Sequence, residues 1–169
     1  MNEKIMFKYT ICFIKRGNEI LMLNRESSSW MGMWNGVGGK LEKDETPKQC
    51  ILREVKEETG ISLSDVEYKG NVIWGNEESE SYYGGMYAFI ARLPDTYEYN
   101  TPVKMDEGIL DWKNINWLLH PENMGVANFT YFLPKMLHDP HTYDHKFIYE
   151  GDEVKDFRSV MLEDALQVK

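Results

Sequence analysis

The chain has 169 residues, of which 42% are hydrophobic, and carries a formal net charge of −9 at pH 7. That length and apolar content predict a single folded domain over residues 1–169 and exclude a disordered chain. The acidic balance argues against tight binding to duplex nucleic acid, although a bound cation can reverse the local sign and admit a nucleotide.

The first part of the chain predicts a β-hairpin followed by a glycine-rich loop. Residues 4–15 and 19–24 are rich in β-branched and aromatic side chains, which is typical of strands, and a turn at 16–18 joins them. The loop over 25–39 contains several glycines, which permit a ligand to approach the backbone closely.

A helix over residues 46–59 is indicated by signals at both of its ends. Thr46 and Gln49 form a T-x-x-Q capping box, and Pro47 suits the first helical position. Gly60 is placed to end the helix in the left-handed conformation. These local signals predict the helix independently of its packing.

The second half of the chain predicts strands interspersed with short helices. Strands are expected over 65–74, 81–93 and 109–112, with a long and mobile connection over 94–107. A helical turn over 115–119 and a helix over 128–137 follow, and Pro134 is expected to break or kink that helix near its end. Strands over 143–149 and 154–161 predict a C-terminal hairpin. The irregular alternation predicts a mixed α/β domain with a largely antiparallel or mixed sheet.

Three glutamates share one face of the predicted helix 46–59. Glu54, Glu57 and Glu58 stand at i, i+3 and i+4, so they project from the same side. Like charges this close repel one another, and a hard divalent cation with oxygen ligands would offset the repulsion. The alternative is an acidic surface helix in which Arg53 and Glu57 form an ordinary i,i+4 pair.

The spacing around this helix resembles the Nudix box. The matching residues lie within 39–61 and are Gly39, Glu45, Arg53, Glu54, Val55, Glu57, Glu58, Gly60 and Ile61. The resemblance implies a Nudix-type α/β/α sandwich with a mixed sheet. It also implies hydrolysis of a nucleoside diphosphate linked to another group, a reaction that needs charge neutralisation and an oriented water.

The resemblance implies a metal site built from oxygen donors. Family members bind Mg²⁺, with Mn²⁺ as an alternative, through residues that match Glu54, Glu57, Glu58 and the carbonyl of Gly39. Many add a carboxylate from a later loop, where Asp106 and Glu107 are the candidates. Glu107 is preferred because residues 107–112 resemble the family's E-G-x-x-x-W segment. The alternative for Glu107 is a solvated loop carboxylate.

The resemblance also assigns catalytic roles within the box. Glu54 or Glu57 is the expected general base toward the attacking water, and the sequence does not choose between them. Arg53 is expected to orient a neighbouring carboxylate rather than to touch substrate. Glu45 is expected to support the junction of loop and helix through Arg53.

Two asparagines are candidate purine-reading residues. Residues 34–40 read W-N-G-V-G-G-K and are similar to a segment of enzymes that hydrolyse oxidised purine nucleoside triphosphates, which makes Asn35 a candidate. Asn128 matches a second base-reading position of MutT-type enzymes. One amide can bond both the O6 acceptor and the N7–H donor of 8-oxoguanine, whereas ordinary guanine leaves the amide oxygen unpaired. The alternatives are a turn residue for Asn35 and a helix N-cap for Asn128.

Further substrate contacts are expected from basic and aromatic side chains. Arg25 and Lys40 are candidate phosphate-binding residues or plain surface charges. Animal members of the subgroup carry a tryptophan and paired aspartates where this chain has residues 125–128, so the base must stack elsewhere. The candidates for stacking are Phe129, Trp30, Trp34, Trp74 and Tyr83.

The sequence therefore predicts a Mg²⁺-dependent pyrophosphohydrolase of oxidised purine nucleoside triphosphates such as 8-oxo-dGTP. One alternative is another nucleoside diphosphate derivative, such as ADP-ribose, an ADP-sugar or a dinucleoside polyphosphate. A second is a non-catalytic nucleotide-binding regulatory domain. Cys12 and Cys50 lack metal-ligand spacing, and no apolar run approaches a membrane span, which predicts a cytoplasmic protein with reduced thiols and no membrane partner. The sequence does not predict an oligomeric state.

Overall fold

The computed structural model describes residues 5–27, 29–78 and 81–162. Within these residues a single sheet contains nine strands. The strands are β1 (Met6–Arg16), β2 (Glu19–Arg25), β3 (Trp34–Asn35), β4 (Glu67–Asn76), β5 (Tyr82–Leu93), β6 (Val103–Met105), β7 (Gly108–Asn114), β8 (Tyr143–Glu150) and β9 (Glu153–Met161).

The helical elements of the described chain are short apart from the first. They are α1 (Pro47–Thr59), α2 (Ile115–Leu118), a 3-10 helix (Asn128–Tyr131) and α3 (Leu133–His138). None of the helices in the described ranges is both long enough and apolar enough to cross a membrane.

The sheet is mixed, as the sequence predicts. Its order is β6-β7-β2-β1-β5-β4-β8-β9, and β3 pairs with β2 beside this path. The β1–β5 and β4–β8 pairs are parallel, whereas the other pairs are antiparallel. Both parallel pairs join strands that are far apart in the sequence, which requires long crossover connections.

Helical segments cover both faces of the sheet. On one face, Ile51 and Val55 of α1 pack in a buried cluster with Ile14 and Leu21. On the other face, a second buried cluster joins sheet residues such as Phe13 to the 3-10 helix and α3. Because every strand places alternate side chains on opposite faces, one sheet supports two cores. The predicted α/β/α sandwich is confirmed.

Three local features differ from the predictions. The loop over 25–39 contains the two-residue strand β3, and the connection over 94–107 contains β6, because each segment pairs with a neighbouring strand. The single helix predicted over 128–137 is a 3-10 helix followed by α3. Pro134 lies in the first turn of α3, where its missing N–H costs no hydrogen bond, so it starts a helix rather than ending one.

The predicted C-terminal hairpin is confirmed as β8 and β9, and an aromatic cluster fixes it to the helical layer. Phe147 and Phe157 pack with ring centroids 4.7 Å apart, and Tyr131 of the 3-10 helix lies 5.5 Å from Phe147 and 5.1 Å from Phe157. His145 is fully buried beside them and stacks on Phe132 at 5.2 Å. These contacts hold the hairpin and the 3-10 helix as one unit.

His145 is expected to make the stability of this unit depend on pH. Burial lowers the pKa of His145 to about 4, with Lys135 adding to that fall, whereas a free histidine titrates near 6.5. Between these values the unfolded chain binds more protons than the folded chain, so stability falls as the pH drops from 7 to 5. The loss attributable to His145 is about 2 kcal/mol over that interval.

The measurement is the free energy of unfolding at pH 7 and pH 5 for the wild type and for His145→Phe, which keeps an aromatic ring in the stack. The variant should lose less stability on acidification by about 2 kcal/mol. If both proteins lost the same free energy of unfolding between pH 7 and pH 5, His145 would not have the lowered pKa that burial gives it.

Candidate active site

Helix α1 is fixed at both ends by the residues that predicted it. The Thr46 hydroxyl accepts the Gln49 N–H at 3.1 Å, and the Gln49 side chain accepts the Thr46 N–H at 3.0 Å. Gly60 adopts φ = 80°, the left-handed conformation that glycine tolerates, and its N–H bonds the carbonyl of Lys56. These caps fix where α1 begins and ends, and the packing of Ile51 and Val55 on the sheet sets the direction in which its glutamates point.

Arg53 is the centre of the carboxylate cluster. Its guanidinium grips Glu45 with two bonds, Nε to Oε2 at 2.7 Å and Nη2 to Oε1 at 2.9 Å. Nη1 donates to Glu54 at 2.9 Å and to Glu57 at 3.1 Å, and Nη2 also donates to the carbonyl of Lys40 at 3.1 Å. The Arg53 hydrogen bonds lower the pKa of Glu45 to about 2. One cation therefore orients two carboxylates of α1 and ties them to the preceding loop.

Glu58 occupies the most buried position of the three glutamates on this face, with 8% of its surface exposed. Its Oε2 accepts the N–H of Gly38 at 3.0 Å. Burial raises the pKa of Glu58 to about 8, and the charges of Glu54 and Glu107 add to that rise. Burial likewise raises the pKa of Glu54, with Glu57 and Glu107 contributing. The site therefore holds several carboxylates that disfavour one another's ionisation.

Glu107 approaches these carboxylates from the residue just before β7. Its backbone carbonyl accepts the N–H of Glu26 at 3.1 Å, and its carboxylate lies 4.0 Å from the Arg25 guanidinium. Arg25 also lowers the pKa of Glu58, so its charge acts on the same group of carboxylates. Glu107 and Arg25 therefore lie close enough to Glu54 and Glu58 for their charges to interact, as the predicted site requires.

The Gly39 carbonyl, a predicted metal ligand, already accepts three hydrogen bonds. The Thr10 N–H donates to it at 2.8 Å, the Thr10 hydroxyl at 3.2 Å and the Cys50 thiol at 3.9 Å, so its lone pairs are engaged within the protein. The Thr10 hydroxyl also lies 3.3 Å from the Cys50 thiol, which offers it another partner. A Cβ on residue 39 would lie 2.3 Å from the Glu54 carboxyl carbon, so a larger residue there would displace that carboxylate.

The donor set fits a hard divalent cation in charge and chemistry. All its side chains are carboxylates, and two of them, Glu54 and Glu58, have raised pKa values that a bound cation would lower. The oxygens are not gathered in advance, because Glu54 and Glu57 turn toward Arg53. Across residues 5–27, 29–78 and 81–162, no three His, Cys, Asp or Glu side chains converge as a ready ligand set.

Glu58→Gln is expected to stabilise the metal-free protein at pH 8 by about 1–3 kcal/mol, because it removes a buried charge and keeps an acceptor for Gly38. The folded-state pKa of Glu58 lies above that of a free carboxyl, so protonated Glu58 contributes to the stability of the wild type. That contribution is lost as the pH rises from 4.5 to about 8.

The measurement is the melting temperature in chelator and then in Mg²⁺, with the exposed residue Glu153 changed to Gln as the control. The wild type and the control should gain stability on adding Mg²⁺ and Glu58→Gln should gain less. An equal Mg²⁺ response in all three proteins would remove Glu58 from the metal site.

The two candidate purine-reading residues follow backbone segments that pair with each other. The N–H of Trp34 bonds the Gly125 carbonyl at 2.9 Å, and the N–H of Ala127 bonds the Trp34 carbonyl at 3.0 Å. Asn35 directly follows the first segment and Asn128 directly follows the second. This pairing places the backbones of Asn35 and Asn128 next to each other, beside strand β2.

The side chains of the two asparagines have different surroundings. Asn35 uses its amide oxygen to accept the Gly36 N–H at 2.8 Å, and its cross-strand partner is Leu23 of the α1-side core. Asn128 donates its amide N–H to the hydroxyl of Tyr149. It does not cap the 3-10 helix, since Ala127 occupies the N-cap position without a side-chain bond.

The remaining predicted substrate residues differ in accessibility. The Lys40 side chain is exposed. Phe129 is buried at 1% exposure and packs on Phe13, so it belongs to the core. Lys113 lies 4.5 Å from the centre of the Trp34 ring, and Trp74 packs against the core. Trp30 and Tyr83 are the most exposed stacking candidates, at 37% and 48%.

Sequence reasoning missed Thr10 and Tyr149. Thr10 is buried in β1 and holds the Gly39 carbonyl, and Tyr149 of β8 bonds Asn128 from 21 residues away. Both are ordinary strand residues in the sequence, and no local pattern marks them. Cys50, which was assigned no role in the sequence analysis, packs beside Thr10 and Arg53.

Comparisons with known proteins identify relatives of this chain. The family model described as the NUDIX domain matches residues 7–139. The uncharacterized Nudix hydrolase YvcI of Bacillus subtilis is 27% identical over 146 residues, which cover 83% of this chain and 89% of YvcI. The NAD-capped RNA hydrolase NudC of Vibrio atlanticus is 37% identical over 86 residues, covering 51% of this chain and only 30% of NudC.

Solved structures show the same fold. The crystal structure of a mutator MutT protein from Bacillus halodurans superposes with a TM-score of 0.74 and 23% identity, covering 91% of this chain and 97% of that one. At this level of identity the likeness concerns the fold. Residues 7–139, which the family model matches, contain every box residue, whereas β8 and β9 lie beyond them.

Proposed function

The chain belongs to the Nudix family, and on that premise we propose that it is a Mg²⁺-dependent pyrophosphohydrolase of oxidised purine nucleoside triphosphates such as 8-oxo-dGTP. The products would be the nucleoside monophosphate and pyrophosphate. The hydrolytic part rests on one observation above all, the bonding of Arg53 to Glu45, Glu54 and Glu57 at once.

The proposal gives each residue of the cluster a distinct task. Glu54, Glu57 and Glu58, with Glu107 from the β7 side, would hold Mg²⁺, and the Gly39 carbonyl would join them if the Thr10 hydroxyl and the Cys50 thiol released it. The bound cation would supply charge neutralisation for the phosphate oxygens. Glu54 or Glu57 would accept the proton of the attacking water. Arg53 would keep these two carboxylates in place, and Glu45 would in turn hold Arg53.

The substrate part rests on the asparagines and the basic residues. The backbone bridge at Trp34 supports a shared base-binding region for Asn35 and Asn128. Asn128 is the stronger candidate, since the Asn35 amide oxygen is already engaged by Gly36. Arg25 and Lys40, which lie at the ends of the loop beside the carboxylates, would contact the phosphates.

The main alternative keeps the chemistry and changes the substrate. NudC is named for NAD-capped RNA, so its partial similarity favours a substrate containing a dinucleotide. A purely regulatory nucleotide-binding domain is disfavoured, because a domain that only binds nucleotides needs neither a general base nor an arginine that orients carboxylates.

The test is a comparison of kcat/KM with Mg²⁺ across dGTP, 8-oxo-dGTP, 2-oxo-dATP, ADP-ribose, NAD and diadenosine polyphosphates. The proposal expects 8-oxo-dGTP to exceed dGTP by about tenfold or more, equivalent to about 1.4 kcal/mol of discrimination in the transition state. A faster reaction with ADP-ribose, NAD or a dinucleoside polyphosphate would replace the substrate assignment and keep the hydrolase. No turnover of any of these nucleotides would favour the hypothesis of a non-catalytic, nucleotide-binding regulatory domain.

A further inference from the structure

Tyr149 links the C-terminal hairpin to the candidate base-binding region. It lies in β8, outside residues 7–139 that match the family model, and its hydroxyl accepts an N–H from the Asn128 amide. The Tyr149 side chain is part-buried against the core beside the 3-10 helix. This contact is a polar side-chain link between Asn128 and a strand that the box does not contain.

The position of the Tyr149 ring is fixed by its neighbours. It stacks on Phe147 with centroids 5.8 Å apart and an interplanar angle of 13°. Phe147 is itself held by Phe157 and Tyr131 in the aromatic cluster of the hairpin. A hydroxyl carried by a ring packed in this way offers its partner one well-defined position.

The hydrogen bond determines which end of the Asn128 amide is used by the protein. Burial raises the pKa of Tyr149, so the phenol keeps its proton at neutral pH. The phenol oxygen accepts one N–H of the amide nitrogen. Because oxygen and nitrogen stand on opposite sides of the amide carbon, this bond keeps Oδ1 as the group that Asn128 offers to a ligand.

We propose that Tyr149 is a positioning residue for base selection, which holds the Asn128 amide so that its oxygen accepts an N–H from the bound base. This inference rests on the proposed function in naming the base. At the N7 position 8-oxoguanine carries an N–H, whereas guanine carries a lone pair. An acceptor held in one orientation bonds the first and repels the second. An amide without Tyr149 can turn its N–H toward guanine and lose that distinction.

The experiment compares Tyr149→Phe with Tyr131→Phe as a matched control. Both changes remove one hydroxyl and leave a ring in the same aromatic cluster, but Tyr131 does not contact the Asn128 amide through a hydrogen bond among the described residues. The readout is the ratio of kcat/KM for 8-oxo-dGTP to that for dGTP. We expect this ratio to fall about tenfold in Tyr149→Phe and to stay within twofold of the wild type in Tyr131→Phe, with similar melting temperatures.

A double variant separates positioning from general damage. Asn128→Ala should also lower the ratio, and adding Tyr149→Phe to it should lower it no further, because the hydroxyl acts only through the amide. Additive losses, or an unchanged ratio in Tyr149→Phe, would overturn the inference.

The outcome for the wild type distinguishes this inference from the proposed function. If the wild type prefers a nucleotide other than 8-oxo-dGTP, the proposed substrate fails. The same variants are then compared on the preferred nucleotide and on its analogues with other bases, by kcat/KM or by Kd where turnover is absent. A ratio that changes in Tyr149→Phe alone would uphold Tyr149 as a positioning residue, and a constant ratio would overturn it.

Discussion

Glu54→Gln is expected to lower kcat by about 10²–10⁴-fold while leaving the fold intact. The Glu54 side chain lies between Gly39 and Arg53 with 15% of its surface exposed, and glutamine has nearly the same shape. The change removes a negative charge from the proposed metal-binding cluster and a group able to take a proton from water. The amide oxygen of the new glutamine still accepts the Arg53 hydrogen bond, so a loss of activity would reflect the chemistry and not unfolding.

The measurement compares Glu54→Gln with Glu57→Gln at saturating substrate over a range of Mg²⁺ concentrations and pH values. The variant that lacks the general base should lose the acidic limb of the pH–rate profile as well as its rate, whereas a variant that lacks only a metal ligand should regain part of its rate at higher Mg²⁺. Glu153→Gln, a change on the exposed face of β9, is the control. Activity of Glu54→Gln within threefold of the wild type would show that this carboxylate takes no part in the reaction.

Arg53→Lys is expected to lower kcat/KM by about 10- to 100-fold, although it conserves the charge. Lysine has a single ammonium group and cannot hold both oxygens of Glu45 while it also bonds Glu54 and Glu57. The carboxylates would then repel one another without a fixed partner between them. The free energy of unfolding should also fall by about 1–2 kcal/mol, since Glu45 is mostly buried.

The controls for Arg53→Lys test whether the geometry of the guanidinium is the cause. Arg92→Lys changes an exposed arginine whose only ion pair among the described residues is a 3.8 Å contact with Glu67, and it should leave kcat/KM unchanged. Glu45→Gln in the Arg53→Lys background should add little further loss, because both changes break the same two bonds. Fully additive losses would mean that Glu45 and Arg53 act separately.

The features that the sequence predicted well are those fixed by neighbours along the chain. Thr46, Gln49 and Gly60 lie within a few residues of the groups they bond, so α1 and its glutamate face could be placed before the sheet was known. The N-terminal strands followed from runs of β-branched and aromatic residues, and the C-terminal hairpin followed from two candidate strands close together in the sequence.

The features that the sequence did not predict depend on partners far along the chain. Strand β3 has only two residues, and its strand geometry comes from pairing with Leu23 and Asn24. Likewise, Thr10 acquires its role from Gly39, which is 29 residues away, and Tyr149 acquires its contact from Asn128. Side-chain type alone gives no sign of such contacts, because they exist only once the sheet has closed.

The parallel pairing of β4 with β8 has a consequence for the order in which this protein matures on the ribosome. Asn71 and Asp144 are joined by a hydrogen bond although 73 residues separate them. Closing so long a loop is entropically costly, so this edge of the sheet is completed late. The box and its helix emerge from the exit tunnel well before β8 does. On the roles proposed above, a nascent chain acquires the groups for hydrolysis first and the group for choosing its base last.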